Sequence, residues 1–387
     1  VNHVVIVGAG ILGTMHAIEA RRRGWSVTLI DRDAEPRSAT VRNFGLVWVS
    51  GRAPGDELQF AVRARARWEE LAGREPGVGF RPDGSVTVAL HPAEVEVMRA
   101  VCDRPDSSDR GFELLDPAEI RRVNPALRGD ALAGLWSRAD AVVEPGQALP
   151  ALRRQLDGPS DRFVGGRTVV AVDSGSVLDH AGERHAGDLV IVCPGAEHHA
   201  GPIGDLLHGA PLQRVMLQMM QTEPLGERLA TSVADGDSLR YYPAFDVPER
   251  ADLPPADPIV AELGIQLLVS QRAGGELTVG DTHSYDEPFD FACDERPYEH
   301  LRTRLGTVLG QPAPPVARRW TGVYSQALDG ATCWRSRPAP DLWVVTGPGG
   351  RGMTLAPALA EQTWNAIDPD PGQPSTPASP SPEELRP

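Results

Sequence analysis

Lysine is absent: all 38 basic side chains among the 387 residues are arginine. This excludes a Schiff-base lysine, and with it pyridoxal-phosphate and aldolase-type covalent catalysis. It excludes a P-loop, whose lysine reaches the phosphates. Any permanent cation is therefore a guanidinium, which stays charged and suits flat, forked anions such as carboxylate or phosphonate. High glycine (40) and proline (36) accompany the arginine, a pattern that GC-rich coding produces by itself. The chemical exclusion holds whatever the cause. Basic charge is also the minority sign, 38 against 53 acidic residues for a net charge of −15. That argues against a nucleic-acid partner, which needs cations on its phosphates. No apolar run reaches the roughly 18 residues of a membrane span, so no membrane partner is predicted. Cysteine is scarce: Cys102, Cys193, Cys293 and Cys333 lie far apart without CxxC spacing. Neither a metal site nor a disulfide framework is predicted, and a reducing cytoplasm is the default. The first residues run into a strand pattern rather than a basic flank and cleavage site, so no signal peptide is expected.

What is present begins with Val4 to Val7, a continuous apolar run suited to a buried parallel strand. Gly8-Ala9-Gly10-Ile11-Leu12-Gly13 follows, then a helix pattern from Thr14 to Arg23, closed by Gly24. Val27 to Ile30 is the next strand and ends in Asp31, followed by Arg32. In this strand–turn–helix–strand unit Gly8 makes the turn and Gly10 lets backbone approach a pyrophosphate. Gly13 lets helix and strand pack, and Asp31 accepts from a ribose hydroxyl. The helix N-terminus, through Ile11 and Leu12, supplies N–H groups and partial positive charge for phosphate. A dinucleotide site is therefore predicted.

Further along, residues 58–72 read as a helix with Leu58, Val62, Trp68 and Leu71 as core contacts. Phe80 to Leu90 reads as a hairpin turning at Asp83-Gly84. Residues 213–221, 239–245, 265–283, 320–324 and 342–346 read as strands, and residues 295–309 and 354–367 as helices. A second buried strand ending in Pro194-Gly195 returns late in the chain, and the Gly-rich loop 347–352 precedes the last helix. Residues 368–387 include seven prolines and are expected to be disordered. Backbone contacts scattered this widely suit an elongated FAD.

At these residues the chain resembles the superfamily of FAD-dependent amine oxidoreductases that contains D-amino acid oxidase, glycine oxidase and sarcosine oxidase. VVIVGAGILG with LIDRD resembles its adenine-dinucleotide motif. SATVRNFGLVW, from Ser38 to Trp48, sits where that family wraps the flavin ring, which gives Arg42, Asn43, Phe44 and Gly45 to the cofactor. VEPGQALPAL resembles a helix start of the family. GRTVVAV, with Val169 toward the adenine, and GDLVIVCPGAE resemble its middle FAD segments. WTGVYS and TGPGGRGMTLAPALAE resemble its closing ones, adding Gly349, Gly350, Arg351, Gly352, Met353 and Thr354. RNFGLVW with GRGMTLAPALAE is most similar to a branch associated with phosphonate metabolism and proposed to oxidise aminophosphonates.

The resemblance implies an α/β fold. A Rossmann-like FAD-binding domain takes residues 1–79, 144–212 and 326–367. A substrate domain on an antiparallel or mixed sheet takes 80–143 and 213–325. It implies non-covalent FAD and hydride transfer to flavin N5 from a carbon bearing a neutral amine. The imine hydrolyses to a carbonyl compound, and O2 gives H2O2. No protein base is required, so no catalytic side chain is assigned. Glycine oxidase, sarcosine oxidase or D-amino acid oxidase activity, a dehydrogenase with another acceptor, and an FAD-holding scaffold without turnover stay open. So does the oligomeric state. Two departures stand out. Sarcosine-type members place a lysine near the flavin, and here there is none. Glycine oxidase-like members carry a carboxylate-clamping arginine where this chain has Tyr324. The anion anchor is thus expected to be another arginine, Arg351 first and Arg42 next. Arg240, Tyr242 and His283 are further substrate candidates on expected strands. Covalent flavin attachment at Cys333 is disfavoured by its spacing.

Overall fold

The computed structural model describes residues 1–156 and 158–369. The Pro-rich segment from residue 370 lies outside the described residues. Strand β1 (His3–Val7), helix α1 (Ile11–Arg22) and strand β2 (Ser26–Asp31) form the expected unit. Val4, Val5 and Ile6 are fully buried, as the apolar run requires. Gly8 has φ +93°, and a Cβ there would lie 2.1 Å from the Cys193 carbonyl oxygen. A Cβ on Gly13 would lie 1.8 Å from the Gly8 oxygen, so glycine is what lets α1 close on the strand. Arg21 and Arg22 sit in the last turn of α1, where cations oppose the helix dipole.

These strands belong to a six-stranded sheet ordered Trp334–Ala339, Leu342–Thr346, Leu189–Val192, β1, β2, Arg162–Gly165. Every pair is parallel except the first. Helix Gly352–Ile367 lies against α1, with Trp364 Nε1 donating to the His16 carbonyl at 3.0 Å. Pro357 interrupts that helix's ladder, and the carbonyl it leaves free, at Met353, accepts from Trp68 Nε1 at 2.9 Å. Trp68 is fully buried on helix Asp56–Arg74 with Leu58 and Leu71, while Val62 is half-buried.

A second sheet has eight strands, in the order Val316–Ala327, Leu212–Pro224, Glu276–Gly280, Leu268–Gln271, Ser232–Asp235, Ser85–Ala89, Ala133–Ser137, Phe112–Leu115. It is antiparallel except between Ser232–Asp235 and Ser85–Ala89. A Rossmann-like sheet plus a mixed sheet is the expected fold class. A two-stranded ribbon, Leu46–Val47 with Ala141–Val142, lies beside Phe44, Trp48, Leu217 and Met219 in one apolar cluster. Among the described residues no helix is long and apolar enough to cross a membrane.

Two elements differ from the sequence reading. Residues 80–90 are not a hairpin: Arg81 bridges Val142, and Ser85–Ala89 pairs with strands from elsewhere. Residues 239–245 are not a strand but the end of helix Asp237–Tyr241 and the 3-10 turn Pro243–Phe245. Pro243 has no N–H to give a sheet, and short apolar runs suit either element.

Candidate active site

One cavity of about 430 Å3 reaches from the first turn of α1 to the eight-stranded sheet. Gly10 to Gly13, Thr40, Arg42, Asn43 and Phe44 line one part, with Gly195 and Gly349 to Thr354. Leu217, Met219, Leu268, Asp281 and Tyr324 line the part built on the second sheet. The wall between them carries Trp48, Arg52, Glu57, Tyr241, Tyr242, Gln266 and His283.

The cofactor half fits a flavin dinucleotide. Two helices, Ile11–Arg22 and Gly352–Ile367, begin at this wall without a side-chain cap. Such ends present N–H groups and positive potential to phosphate and other electron-rich groups. A Cβ on Gly10 would meet only the Thr40 hydroxyl, at 3.4 Å, so backbone there is open to a close ligand. Thr40 accepts from Ile11 N at 3.0 Å and joins the loop to the helix start. Asn43 shapes the loop, donating to the Ala39 and Thr40 carbonyls and accepting from Gly45 N at 2.7 Å. Ser38 opens the short turn Ala39–Val41. Arg42 donates to the Arg37 and Thr321 carbonyls at 2.6 and 2.7 Å, so its guanidinium binds the loop to the second sheet.

At the end of β2, Asp31 accepts from Ala9 N at 2.6 Å and Asp33 N at 2.8 Å. It braces the glycine turn and keeps acceptor capacity on both oxygens. Arg32 pairs with Glu197 at 2.9 Å, and Val169 is buried in strand Val169–Asp173. Arg153, which the sequence reading did not single out, donates to the Ala9 carbonyl at 2.8 Å and lies 4.2 Å over the Phe163 ring. Gly8, Asp31, Arg32, Ser38, Gly45, Val169 and Pro194 are not on the cavity wall itself.

The substrate candidates fall into different places. Tyr324 and Tyr242 line the cavity, and burial pushes both phenols well above their usual range. His283 lines it too, with Nδ1 at 2.9 Å from the Gly264 carbonyl and Nε2 at 3.2 Å from the Tyr241 hydroxyl. Arg240 is off the wall, 3.6 Å from Asp237. Neither Arg240 nor Tyr242 is on a strand: Arg240 is in helix Asp237–Tyr241 and Tyr242 caps it. Arg351 lines the cavity but donates to the Pro348 and Ala331 carbonyls at 3.1 and 2.8 Å, and stands 3.5 Å from Glu57. Cys333 is buried off the wall, with Sγ toward the Thr346 carbonyl at 3.1 Å.

Sequence reasoning missed Arg52 and Asp281. Arg52 is 5% exposed; Nε donates to the Trp48 carbonyl at 2.8 Å, and the nearest carboxylate contact, to Glu57, is 3.6 Å. Burial lowers its pKa, with Glu57 opposing. Its guanidinium carbon lies 5.8 Å from the Tyr242 ring centre. Asp281, 6% exposed, is pushed up to about 6 by burial, with His283 opposing. Asp281 Oδ1, Gln266 Oε1 and Trp48 Nε1 are buried without a hydrogen-bond partner, and all three residues line this cavity. The available signal was position: Arg52 follows the segment expected to wrap the flavin, in a Gly/Pro loop, and Asp281 directly follows a strand, two residues before His283.

Comparison with known proteins accords with this geometry. A family profile described as DAO, FAD dependent oxidoreductase, matches residues 3–365. The tRNA 5-methylaminomethyl-2-thiouridine biosynthesis bifunctional protein MnmC of Marinobacter nauticus is 24% identical over 94% of this chain and 55% of its own length. The chain thus spans about half the length of such curated relatives. Among solved structures, glycine oxidase from Bacillus cereus superposes with a TM-score of 0.76 at 16% identity, covering 95% of both chains. Iminodiacetate oxidase from Chelativorans sp. BNC1 gives 0.75 at 21%, covering 96% of this chain and 97% of its own. At such identities the likeness concerns the fold.

Proposed function

The chain belongs to the DAO family of FAD-dependent oxidoreductases, and from that premise we propose that it oxidises the C–N bond of a small amine carrying an anionic group. An aminophosphonate or its N-methyl derivative is the favoured substrate, ahead of glycine, sarcosine or a D-amino acid. Bound FAD supplies the acceptor for the hydride that leaves the carbon next to nitrogen. The resulting imine is hydrolysed to a carbonyl compound, and O2 is the final acceptor, giving H2O2.

The observation that carries this reading is Arg52. A guanidinium this deeply buried is costly to leave half-paired. The carboxylate it approaches, Glu57, stands at 3.6 Å, longer than a charge-assisted hydrogen bond. A substrate anion in the cavity completes it. Tyr324 adds a hydroxyl to the same wall, and the apolar lining of Leu217, Met219 and Leu268 excludes water from the reacting carbon. Arg42 and Arg351, bound to backbone carbonyls, hold the loops that face the cofactor. The two sheets are the cores of the two proposed domains, and the cavity runs between them.

The test is anaerobic bleaching of the flavin in the purified yellow protein by glycine, sarcosine, D-alanine, 2-aminoethylphosphonate and its N-methyl form. The phosphonates are expected to bleach it fastest. Bleaching by D-alanine and by neither phosphonate would reject the substrate preference. Peroxide release on reoxidation in air distinguishes an oxidase from a dehydrogenase.

A further inference from the structure

Arg52 accounts for the anionic end of such a substrate and leaves the amine without a partner. In the same cavity the strand Glu276–Gly280 ends and Asp281 follows, lining the wall at 6% exposure. Its backbone carbonyl accepts from Gln266 N at 3.0 Å, and its Oδ1 has no hydrogen-bond partner. A carboxylate oxygen held out of water without a donor is costly, and a carboxyl with such an oxygen is drawn toward any ammonium that can reach it.

The groups around it do not supply that donor. His283, two residues on, has both ring nitrogens committed, to Gly264 and Tyr241. Tyr241 and Tyr242 from the helix side, Tyr324 from strand Val316–Ala327 and Tyr285 from the loop after His283 are the other titratable groups facing Asp281, and its charge raises the pKa of each phenol. Arg52 is the nearby permanent cation, and it acts on Tyr241 and Tyr242. The aromatic faces of Tyr242 and Tyr324 suit a cation, and burial holds both phenols well above their usual range, so they stay neutral. Elsewhere on the lining, Gln266 Oε1 and Trp48 Nε1 are likewise unpartnered. The cavity therefore offers a buried guanidinium and a buried carboxyl with one unpartnered oxygen, the complement of a zwitterion.

We propose that Asp281 receives the ammonium of the substrate and takes its proton, producing the neutral amine that oxidation requires. One N–H bond of the ammonium breaks and one O–H bond forms on the Asp281 carboxylate. Both charges vanish together, and no electron moves in this step. The freed lone pair then assists departure of the hydride from the adjacent carbon. This inference rests on the proposed amine oxidation and gives that reading a base, a role the sequence left to no side chain. With burial holding Asp281 near pH 6, the carboxylate form is available at neutral pH.

The experiment compares wild-type, Asp281→Asn and Asp281→Glu holoenzymes, each first shown to retain its flavin absorbance. Glycine and 2-aminoethylphosphonate are paired with their amine-free counterparts, acetate and ethylphosphonate. The expected result is that flavin reduction by the amines rises with pH through a limb near 6 in the wild type. The limb disappears in Asp281→Asn, and reduction at pH 7 slows about a hundredfold. Asp281→Glu restores a limb. Acetate and ethylphosphonate bind Asp281→Asn within about threefold of wild type, since Arg52 is untouched. Retention of the limb in Asp281→Asn, or equal loss of amine and amine-free probes, overturns the assignment. If no amine reduces the wild type, the oxidation reading fails. Asp281 is then judged on binding alone: wild type must favour the aminated probe of each pair, and Asp281→Asn must not. Equal binding or no binding overturns it.

Discussion

Two arginines with the same formal charge do different work because their donors are spent differently. Arg351 gives Nε and one Nη to carbonyls of its own neighbourhood, Pro348 and Ala331. Arg52 donates from Nε to the Trp48 carbonyl and turns Nη1 toward Glu57 at 3.6 Å. Glu57 stands 3.5 Å from Arg351 as well, so it divides its charge between two cations and neutralises neither fully. Truncating a buried charge that pairs with a ligand costs about 2 kcal/mol or more, roughly 30-fold in affinity. Arg52→Met is therefore expected to raise KM for the best anionic amine by about 30-fold or more while the protein stays yellow. Arg351→Met is expected to loosen the loop 347–352 and lower flavin retention and substrate affinity together. Steady-state kinetics beside flavin-to-protein absorbance ratios read both. Loss of substrate affinity alone in Arg351→Met would return the anchor to that residue.

The last helix shows how an element is completed from outside itself. Pro357 deprives Met353 of its ladder partner, and Trp68 supplies the donor from another helix. Met353 is in the first turn at the cavity wall, so this bond ties the core of the FAD side to the site. Trp68→Phe leaves a buried carbonyl unpaired and is expected to cost about 1–3 kcal/mol. Pro357→Ala restores an N–H four residues on, so the double variant is expected to recover part of that loss in urea unfolding. Strict additivity would show that the Trp68 bond to Met353 is not what matters. Elements of this kind mark what sequence can tell. The β1–α1–β2 unit was legible because each residue's role is local: apolar run, glycine turn, acid at the strand end. Residues 239–245 were not, because LRYYPAF fits strand and helical turn alike until packing decides. Residues 80–90 failed because Asp83-Gly84 is a local turn signal, while the partners of Ser85–Ala89 come from Ala133–Ser137 and Ser232–Asp235. Arg52 and Asp281 lie 229 positions apart and meet at one wall only once both sheets are built.

At the scale of the whole molecule, the question is what holds the loop of Arg52 in register between the sheets. Asp140 is fully buried next to the ribbon strand Ala141–Val142. Its Oδ1 accepts from Val49 N at 2.6 Å and Ser50 N at 2.9 Å, and its Oδ2 accepts from Ser85 Oγ at 2.6 Å. Arg110, also buried, grips the opposite polarity of the same peptide groups, donating to the Ser50 carbonyl at 2.7 Å and that of Val49 at 3.3 Å. Arg110 is in turn paired with Asp106 at 2.9 Å. The loop is thus clamped through N–H groups by one charge and through carbonyls by the other, from elements that belong with the eight-stranded sheet. Burial raises the pKa of Asp140, and the three donors oppose that shift. Asp140→Ala strands two buried N–H groups and a hydroxyl, so a loss of about 3 kcal/mol or more is expected. Because Val49 and Ser50 precede Arg52 directly, KM for the anionic amine is expected to rise in the same variant. Asp140→Asn keeps an acceptor and an amide that can turn to Ser85, so it is expected to regain most of the stability and most of the affinity. Thermal unfolding and kinetics on the three proteins give the answer. A fall in Tm with an unchanged KM would mean that Arg52 is held in place by Trp48, Glu57 and Tyr242 alone, and that the clamp serves only the joint between the sheets.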